Sequence, residues 1–348
     1  MTDAPTTASG PSTATTGEIL SRHLTAQAGA FLRALPQAVG EVGSRPGAVV
    51  HSPAGTADLL RSVRRIGGAL HTFAASFDPV WAQESRTELR WLLNLLAQEP
   101  GYLRRSARLL GALDSLSGSE PDGPGMLAGH AGAPKARALL DRQLTLARTR
   151  AHSTVLQELR SARLHALADR MTLLVGEAPL LTPEAGGLHP QADAALAALT
   201  AGAQQLPLQR AATPYGGDGL RRLGSLPAAR GALDADTALA ADDAPWHRVR
   251  ILVKRARYAL EVCGRPAPEL DALDRTLGRH QEASDAAVTA STAARTPRIT
   301  PATAYVLGVV HADQRLEVEA ARYAFGRQWP DHSPGLAGWE GPSAPRMA

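Results

Sequence analysis

The sequence predicts an all-α protein, on the basis of three observations. Alanine, leucine and arginine dominate the 348 residues and β-branched residues are scarce over long stretches, so intrinsic propensities favour helices. Apolar residues recur at the helical period in segments that Gly- and Pro-rich loops separate. The second half of the chain repeats this plan of the first half, which predicts two pseudo-symmetric helical bundles in a single domain.

The first half contains a tail and six predicted helices. Residues 1–16 are rich in Thr, Ser, Pro and Ala and lack the basic and apolar regions of a signal peptide, so we assign them to a disordered tail. Residues 17–175 are predicted to form the first helical bundle, with a Gly/Pro-rich break at 117–134. Its predicted helices cover residues 19–42, 56–77, 84–98, 102–116, 135–151 and 153–175.

The second half begins after a linker at residues 176–190. Residues 190–329 are predicted to form the second bundle and residues 330–348 a disordered tail. The most informative helix is expected to begin after Asp242 or Asp243 as its N-cap, with Pro245 in the first turn. The other predicted helices cover 192–205, 268–281, 284–294 and about 301–329, and a long loop covers 206–234.

The composition excludes several classes of protein. A hydrophobic content of 44% suffices for a large core, but no window of about 18 apolar residues exists that could span a membrane. The one cysteine, Cys263, excludes an intramolecular disulfide and fits a reducing compartment, so we expect a cytoplasmic protein. The net charge of +4 favours anionic partners only weakly.

Residues 246–261 carry the clearest functional pattern. On a helix at about 100° per residue, their polar and charged side chains form one face and most of their apolar side chains the opposite face. An apolar back would fix this helix to a core, while its front presents fixed cations suited to a linear polyanion. The polar face contains His247, Arg250, Lys254, Arg257, Tyr258 and Glu261, with Arg248 and Arg255 beside it.

Residues 247–261 have the pattern His-x-x-Arg-x-x-x-Lys-Arg-x-Arg-Tyr-x-x-Glu. This pattern resembles the second-repeat signature of the CHAD (conserved histidine α-helical domain) family. Residues 277–282 are similar to the Leu-Gly-x-x-x-Asp segment of the same repeat, with Glu282 at the place of the Asp and Asp285 as a second candidate. The resemblance implies an all-helical domain of two related bundles that binds inorganic polyphosphate along a basic surface.

The resemblance assigns candidate residues to both halves. The first repeat lacks the expected histidine, since neither His51 nor His71 falls in its place. Its basic turn, which consists of Arg61, Arg64 and Arg65, is interpreted about equally well as a row that faces phosphates and as a solvated face. Glu261 is expected to orient Arg257 or Lys254. The predicted polyphosphate-binding residues are His247, Arg248, Arg250, Lys254, Arg255 and Arg257, with Arg61, Arg64 and Arg65 in the first half, and the supporting residues are Tyr258, Glu261 and His280.

We expect non-catalytic polyphosphate binding without a cofactor or a metal site. No His-Glu-x-x-His run occurs, and neither a Glu-x-Glu-x-Lys run nor a P-loop is present to support an enzyme acting on phosphoanhydrides. General polyanion or nucleic-acid binding stays open as an alternative, although the aromatic content of 4% argues against base stacking. The oligomeric state and an association with polyphosphate granules stay open too. The arginines of the last helix, among them Arg315 and Arg322, are interpreted as ordinary charge patterning.

Overall fold

The computed structural model describes residues 15–39, 53–120, 123–176, 178–181, 187–211, 232–265 and 267–337, and within them the fold is all-α. A 3₁₀ turn at Ala74–Ser76 and a two-residue antiparallel ladder, β1 (Ser119–Glu120) with β2 (Gly123–Pro124), accompany the helices. The helices are α1 (Thr16–Val39), α2 (Pro53–Thr72), α3 (Pro79–Ser117), α4 (Ala133–Glu158), α5 (Ala162–Gly176), α6 (Leu188–Gln204), α7 (Leu208–Ala211), α8 (Ala232–Val262), α9 (Pro268–Ala294) and α10 (Pro301–Ala337).

Two expected breaks between helices are wrong. The helices predicted at 84–98 and 102–116 are one helix, α3, which continues through Pro100. Residues 268–281 and 284–294 likewise form one helix, α9. In α3 the apolar face continues on both sides of the proline, with Leu96 buried before it and Leu109 after it, so tertiary packing overrides the local breaking tendency.

The ends of two other helices also differ from expectation. Because α8 already begins at Ala232, Asp242 and Asp243 are not N-caps and Pro245 lies inside the helix. The last helix extends to Ala337, so residues 330–337 are helical and not part of a tail. The prediction of a long loop at 206–234 is wrong at both ends, where α7 and the start of α8 are helical. Residues 1–14, 40–52, 182–186, 212–231 and 338–348, which include parts of the predicted tails, linker and loop, lie outside the described residues.

The packing order of the helices repeats across the middle of the chain. Helices α1, α2, α3 and α4 pack successively against one another, and α6, α8, α9 and α10 repeat that order, so α2 corresponds to α8. Two hydrophobic clusters fill the interior, and each takes residues from both halves. One cluster joins α1, α2 and α5 to α6 and α8, while the other joins the second half of α3 and α4 to α9 and α10. The predicted bundles at 17–175 and 190–329 therefore share their cores.

The corresponding helices α2 and α8 meet directly at Gly68. A Cβ atom at this position would lie 2.8 Å from Cδ2 and 2.9 Å from Cβ of the buried Tyr258. Any residue larger than glycine would therefore push the two helices apart. The neighbouring Gly67 points into open space, where an added Cβ would meet nothing within 4 Å.

A buried ionic network joins α8, α9 and α10 around Asp243. Both Arg315 and Arg322 donate to its carboxylate, Arg315 through two nitrogens at 2.7 and 3.0 Å and Arg322 through Nη2 at 2.6 Å. The hydroxyl of Ser284 donates to the same carboxylate at 2.5 Å. Burial opposes ionisation of Asp243, but the hydrogen bonds from Arg315 and Ser284, together with the charges of Arg315 and Arg322, outweigh it and hold the pKa of this carboxyl below its usual value.

His280 completes the network from α9. Its side chain is 1% exposed, its ring stacks on Trp246 at 5.6 Å between centroids, and its Nε2 accepts from Nε of Arg322 at 3.2 Å. Burial, reinforced by the charge of Arg322, lowers the pKa of His280 to about 3. The interpretation of Arg315 and Arg322 as ordinary charge patterning is therefore wrong. Arg322 is buried and connects three helices, and Arg315 pairs with the buried Asp243.

We predict that Gly68→Ala lowers the free energy of unfolding by about 1–3 kcal/mol, the usual cost of forcing extra volume into a packed contact. Gly67→Ala is the matched control and should be neutral, or stabilising by about 0.5–1 kcal/mol, because alanine is the better helix former. Urea denaturation of both variants measures the difference. Equal stabilities would contradict the close approach of α2 and α8.

We predict that stability falls with acidification partly through His280. The pKa of His280 in the folded protein, about 3, lies below the ordinary value of about 6.5. The unfolded chain therefore takes up a proton below pH 6.5 that the folded chain refuses, which costs about 2 kcal/mol on going from pH 7 to pH 5. His280→Gln should reduce the stability lost between these pH values by that amount. An unchanged loss, measured by urea denaturation at both pH values, would contradict this role.

Candidate functional site

Helix α8 is held by its apolar side, as the sequence predicts. Val249, Val253 and Ala256 are buried in the hydrophobic cluster that contains α2 and α6. Ile251, which the sequence places nearer the basic side, is 50% exposed. The packing of the apolar side therefore fixes the direction in which the basic side chains of α8 can point.

Basic side chains from three helices surround one cavity between α2, α3 and α8, which we call the cationic cavity. Its volume is about 480 Å³. The described residues that line it include His71 but no carboxylate. The seven Arg and Lys residues in its wall are Arg64 from α2, Arg86, Arg90 and Arg104 from α3, and Arg250, Lys254 and Arg255 from α8.

Burial and the crowding of these charges lower the pKa values of three of the cations. Burial, and then the charge of Arg250, lowers the pKa of Lys254 to about 8. Burial also lowers the pKa of Arg64. The charges of Arg250 and Arg104 lower it further, whereas Tyr258 raises it. For Arg255 the lowering of the pKa comes from burial and then from Arg90. Each cation is thus partly desolvated and repelled by its neighbours, a situation that a bound anion would relieve.

Few carboxylates outside the wall of the cationic cavity neutralise the cations in that wall. In the described part of the chain, Lys254 Nζ lies 3.6 Å from Oδ1 of Asp274, and Arg104 Nε lies 3.1 Å from Oε1 of the half-exposed Glu282. The Nε atom of Arg250 is buried without a hydrogen-bond partner. A buried donor of this kind is uncommon in native structures and suits an acceptor such as a phosphate oxygen.

Four of the predicted binding residues meet in the cationic cavity: Arg64, Arg250, Lys254 and Arg255. The structure brings them together across the contact between α2 and α8. Residues from both halves of the sequence therefore contribute, although the first repeat lacks the motif histidine.

The other predicted cations lie elsewhere. Arg61 and Arg257 line a neighbouring cavity, and each pairs with a carboxylate, Arg61 with Asp58 at 2.6 Å and Arg257 with Asp271 at 2.8 Å. Arg248 is exposed outside both cavities.

The supporting residues also differ from expectation. The carboxylate of Glu261 pairs with Arg65 of α2 at 2.7 Å, whereas the sequence suggested Arg257 or Lys254 as its partner. Tyr258 is buried and packs against Gly68 between the two cavities. His280 belongs to the interior network and does not line either cavity.

The motif histidine, His247, is directed towards the interior network. Its ring meets His280 edge to face at 5.4 Å between centroids, and its Nε2 is buried without a hydrogen-bond partner. Burial lowers the pKa of His247, although Asp243 and Asp285 oppose this effect. His247 is therefore not among the residues that line the cationic cavity.

Sequence reasoning missed the three arginines that α3 contributes. Arg86 and Arg90 are spaced four residues apart on the segment predicted as a helix at 84–98, which places them on one face. That spacing could have identified a further basic row. Arg104 and Arg108 have the same spacing on the segment predicted as a helix at 102–116, but the expected break at Pro100 separated that segment from Arg86 and Arg90. Within the described residues, no group of three or more His, Cys, Asp or Glu side chains could hold a metal ion.

Comparisons with known proteins identify the family of the chain. The family model of the CHAD domain matches residues 33–294. The structure of PptA from Streptomyces chartreusis is 43% identical, with a TM-score of 0.73, over 91% of this chain and 100% of that chain. The structure of the CHAD domain from the plant Ricinus communis is 21% identical, with a TM-score of 0.49, over 89% of this chain and 92% of that chain.

No protein in the curated comparison matches the chain. In the described residues, no helix has an apolar stretch long enough to cross a membrane. The family model extends over most of the chain, from the end of α1 to the end of α9, and includes both the motif helix and the α3 arginines. The resemblance found in residues 247–261 is thereby confirmed, and the chain belongs to the CHAD family.

Proposed function

We propose that this protein binds inorganic polyphosphate in the cationic cavity and does so without catalysis. The observation that carries the proposal is the composition of the cavity wall, in which seven Arg and Lys side chains face one space and no carboxylate does among the described lining residues. A solvated basic surface would be expected to intersperse acidic residues with the basic ones.

A linear chain of phosphates fits this arrangement better than a compact anion. Six of the seven cations are arginines, and each guanidinium can donate to two phosphate oxygens at once. Arg64 and Arg104 line both the cationic cavity and the neighbouring one, so a phosphate between the two cavities would meet both of these arginines. Affinity would come from many phosphate contacts with counterion release, and it would fall steeply with salt.

The wall of the cationic cavity supports binding rather than hydrolysis. Hydrolysis of a phosphoanhydride needs a general base for the attacking water, or acidic ligands for a divalent metal ion. The described lining residues supply neither a carboxylate nor a group of metal ligands. Its one histidine, His71, has a pKa lowered by burial and by Arg255, Arg86 and Arg90, which keeps its imidazole neutral, but among the described lining residues no carboxylate orients this histidine.

Nucleic acids carry phosphates too, but the cavity wall offers little to a base. Tyr258 is its one aromatic side chain among the described residues, and it is 9% exposed. Binding of single strands usually relies on exposed aromatic rings for stacking. Polyphosphate should therefore displace single-stranded DNA at matched phosphate concentration, and the reverse order of affinity would favour the nucleic-acid alternative.

We predict that Arg90→Ala and Arg250→Ala each weaken polyphosphate binding by about 1–3 kcal/mol, the scale of a hydrogen bond to a charged group. Arg142→Ala, which removes an exposed arginine of α4 outside both cavities, is the matched control for net charge and should have little effect. Isothermal titration calorimetry with polyphosphate of defined length measures the three affinities. If the control loses as much affinity as the cavity variants, the site is wrong.

We predict that polyphosphate affinity depends on the protonation of Lys254. With a pKa of about 8 in the free protein, Lys254 is mostly charged at pH 7 and mostly neutral at pH 9. A phosphate that binds the charged form should lose affinity by about tenfold between these pH values.

Lys254→Arg is the control for this pH dependence, because an arginine stays protonated at both values. The variant should bind about equally well at pH 7 and pH 9, and any change in the ionisation of the ligand itself affects both proteins alike. A tenfold loss that persists in Lys254→Arg would contradict the role of Lys254.

A further inference from the structure

A second cavity adjoins the cationic cavity and has fewer uncompensated cations, because two of the four arginines among its described lining residues, Arg61 and Arg257, pair with carboxylates. Its volume is about 650 Å³, and we call it the mixed cavity. Most of its lining is apolar and comes from α1, α2, α3 and α4, including Leu60, Leu96, Pro100, Leu103 and Val155. Inorganic polyphosphate has no apolar group that could occupy such a lining.

The two cavities are adjacent and share part of their lining. Arg64, Arg104 and Tyr258 line both of them. A ligand could therefore place phosphates in the cationic cavity, contact Arg64 and Arg104 at the junction, and extend an uncharged part into the mixed cavity. Small-molecule sites typically have volumes of about 300–1,000 Å³ and combine an apolar lining with a few polar groups.

Glu99 is the one carboxylate among the described residues that line the mixed cavity. Oε2 of Glu99 contacts Nδ1 of His152 at 2.9 Å. A carboxylate repels phosphate, but it accepts hydrogen bonds, and with Oε2 on His152 its second oxygen keeps the capacity to accept from a ligand amine. Glu99 therefore offers an acceptor to a ligand group with N–H donors, such as the amino group of a nucleobase.

We propose that the mixed cavity binds the base and sugar of a nucleoside polyphosphate whose phosphates lie in the cationic cavity. This inference rests on the proposed function, because it uses the same cations for the phosphates. It adds a preference that inorganic polyphosphate binding does not require. The apolar lining stabilises the base by burying its faces, and the Arg64–Arg104 junction holds the phosphates nearest the sugar.

Two ligands of similar phosphate length separate this inference from the proposed function. ATP and inorganic triphosphate are titrated calorimetrically against the full chain at equal ionic strength, without divalent metal. Inorganic triphosphate carries the higher negative charge, so a purely electrostatic site would prefer it. We expect ATP to bind at least about tenfold more tightly, since the base and sugar add contacts that triphosphate lacks.

A cavity-filling variant tests where the base binds. Ala57 is exposed on α2 and lines the mixed cavity but not the cationic one, so Ala57→Trp fills the space without changing the charge. The variant should lose the preference for ATP and keep the affinity for triphosphate. Ala138→Trp, at an exposed site of α4 outside both cavities, is the control and should keep the preference. Leu103→Trp blocks the same cavity from α3 if Ala57→Trp does not fold.

The outcomes are distinguishable. If triphosphate binds and ATP binds no more tightly, the inference is overturned while the proposed function stands. If the preference for ATP survives in both cavity-filling variants, the base binds elsewhere and the inference is again overturned. If neither ligand binds to the wild type, the cationic cavity itself is not an anion site, and both proposals fail.

Discussion

The close contact between α2 and α8 is the constraint on which the candidate site depends. Tyr258 approaches Gly68 so closely that no side chain fits between the two helices. This approach brings Arg64 of α2 and Lys254 of α8 into one cavity wall. Since α2 and α8 are corresponding helices of the two halves, the cationic cavity forms where the two halves meet. Neither half could produce it alone.

The distribution of acidic residues concentrates the positive charge inside the cavity. Asp58, Asp271 and Glu261 neutralise arginines at its margins, pairing with Arg61, Arg257 and Arg65 respectively. The cations that line the cavity have mainly one another as charged neighbours. Ion pairs at partly exposed margins contribute little stability each. Their larger consequence is spatial, because they limit the uncompensated charge to the space that an anion can enter.

The fold class and the apolar side of α8 could be predicted from the sequence, because both follow from local periodicity. The meeting of the α3 arginines with those of α2 and α8, and the network around Asp243, could not. Arg322 lies 79 residues from Asp243 along the chain, and a contact of that separation leaves no local pattern. Asp242 and Asp243 resemble N-caps when only neighbouring residues are considered. In the structure they instead accept from Arg322 of α10, which provides the stronger, charge-assisted interaction.

The single lysine in the cavity wall has a physical reason. The chain contains 37 basic residues, and lysine occurs only at Lys135 and Lys254. An arginine at position 254 would stay charged whatever its surroundings, whereas a lysine can release its proton when burial and neighbouring cations make the charge costly. With a pKa of about 8, Lys254 is the wall residue closest to that limit. Near pH 8 part of the protein therefore carries a neutral Lys254, which reduces the repulsion among Arg250, Arg64 and Arg257, and an anion that enters the cavity restores the full charge of this lysine.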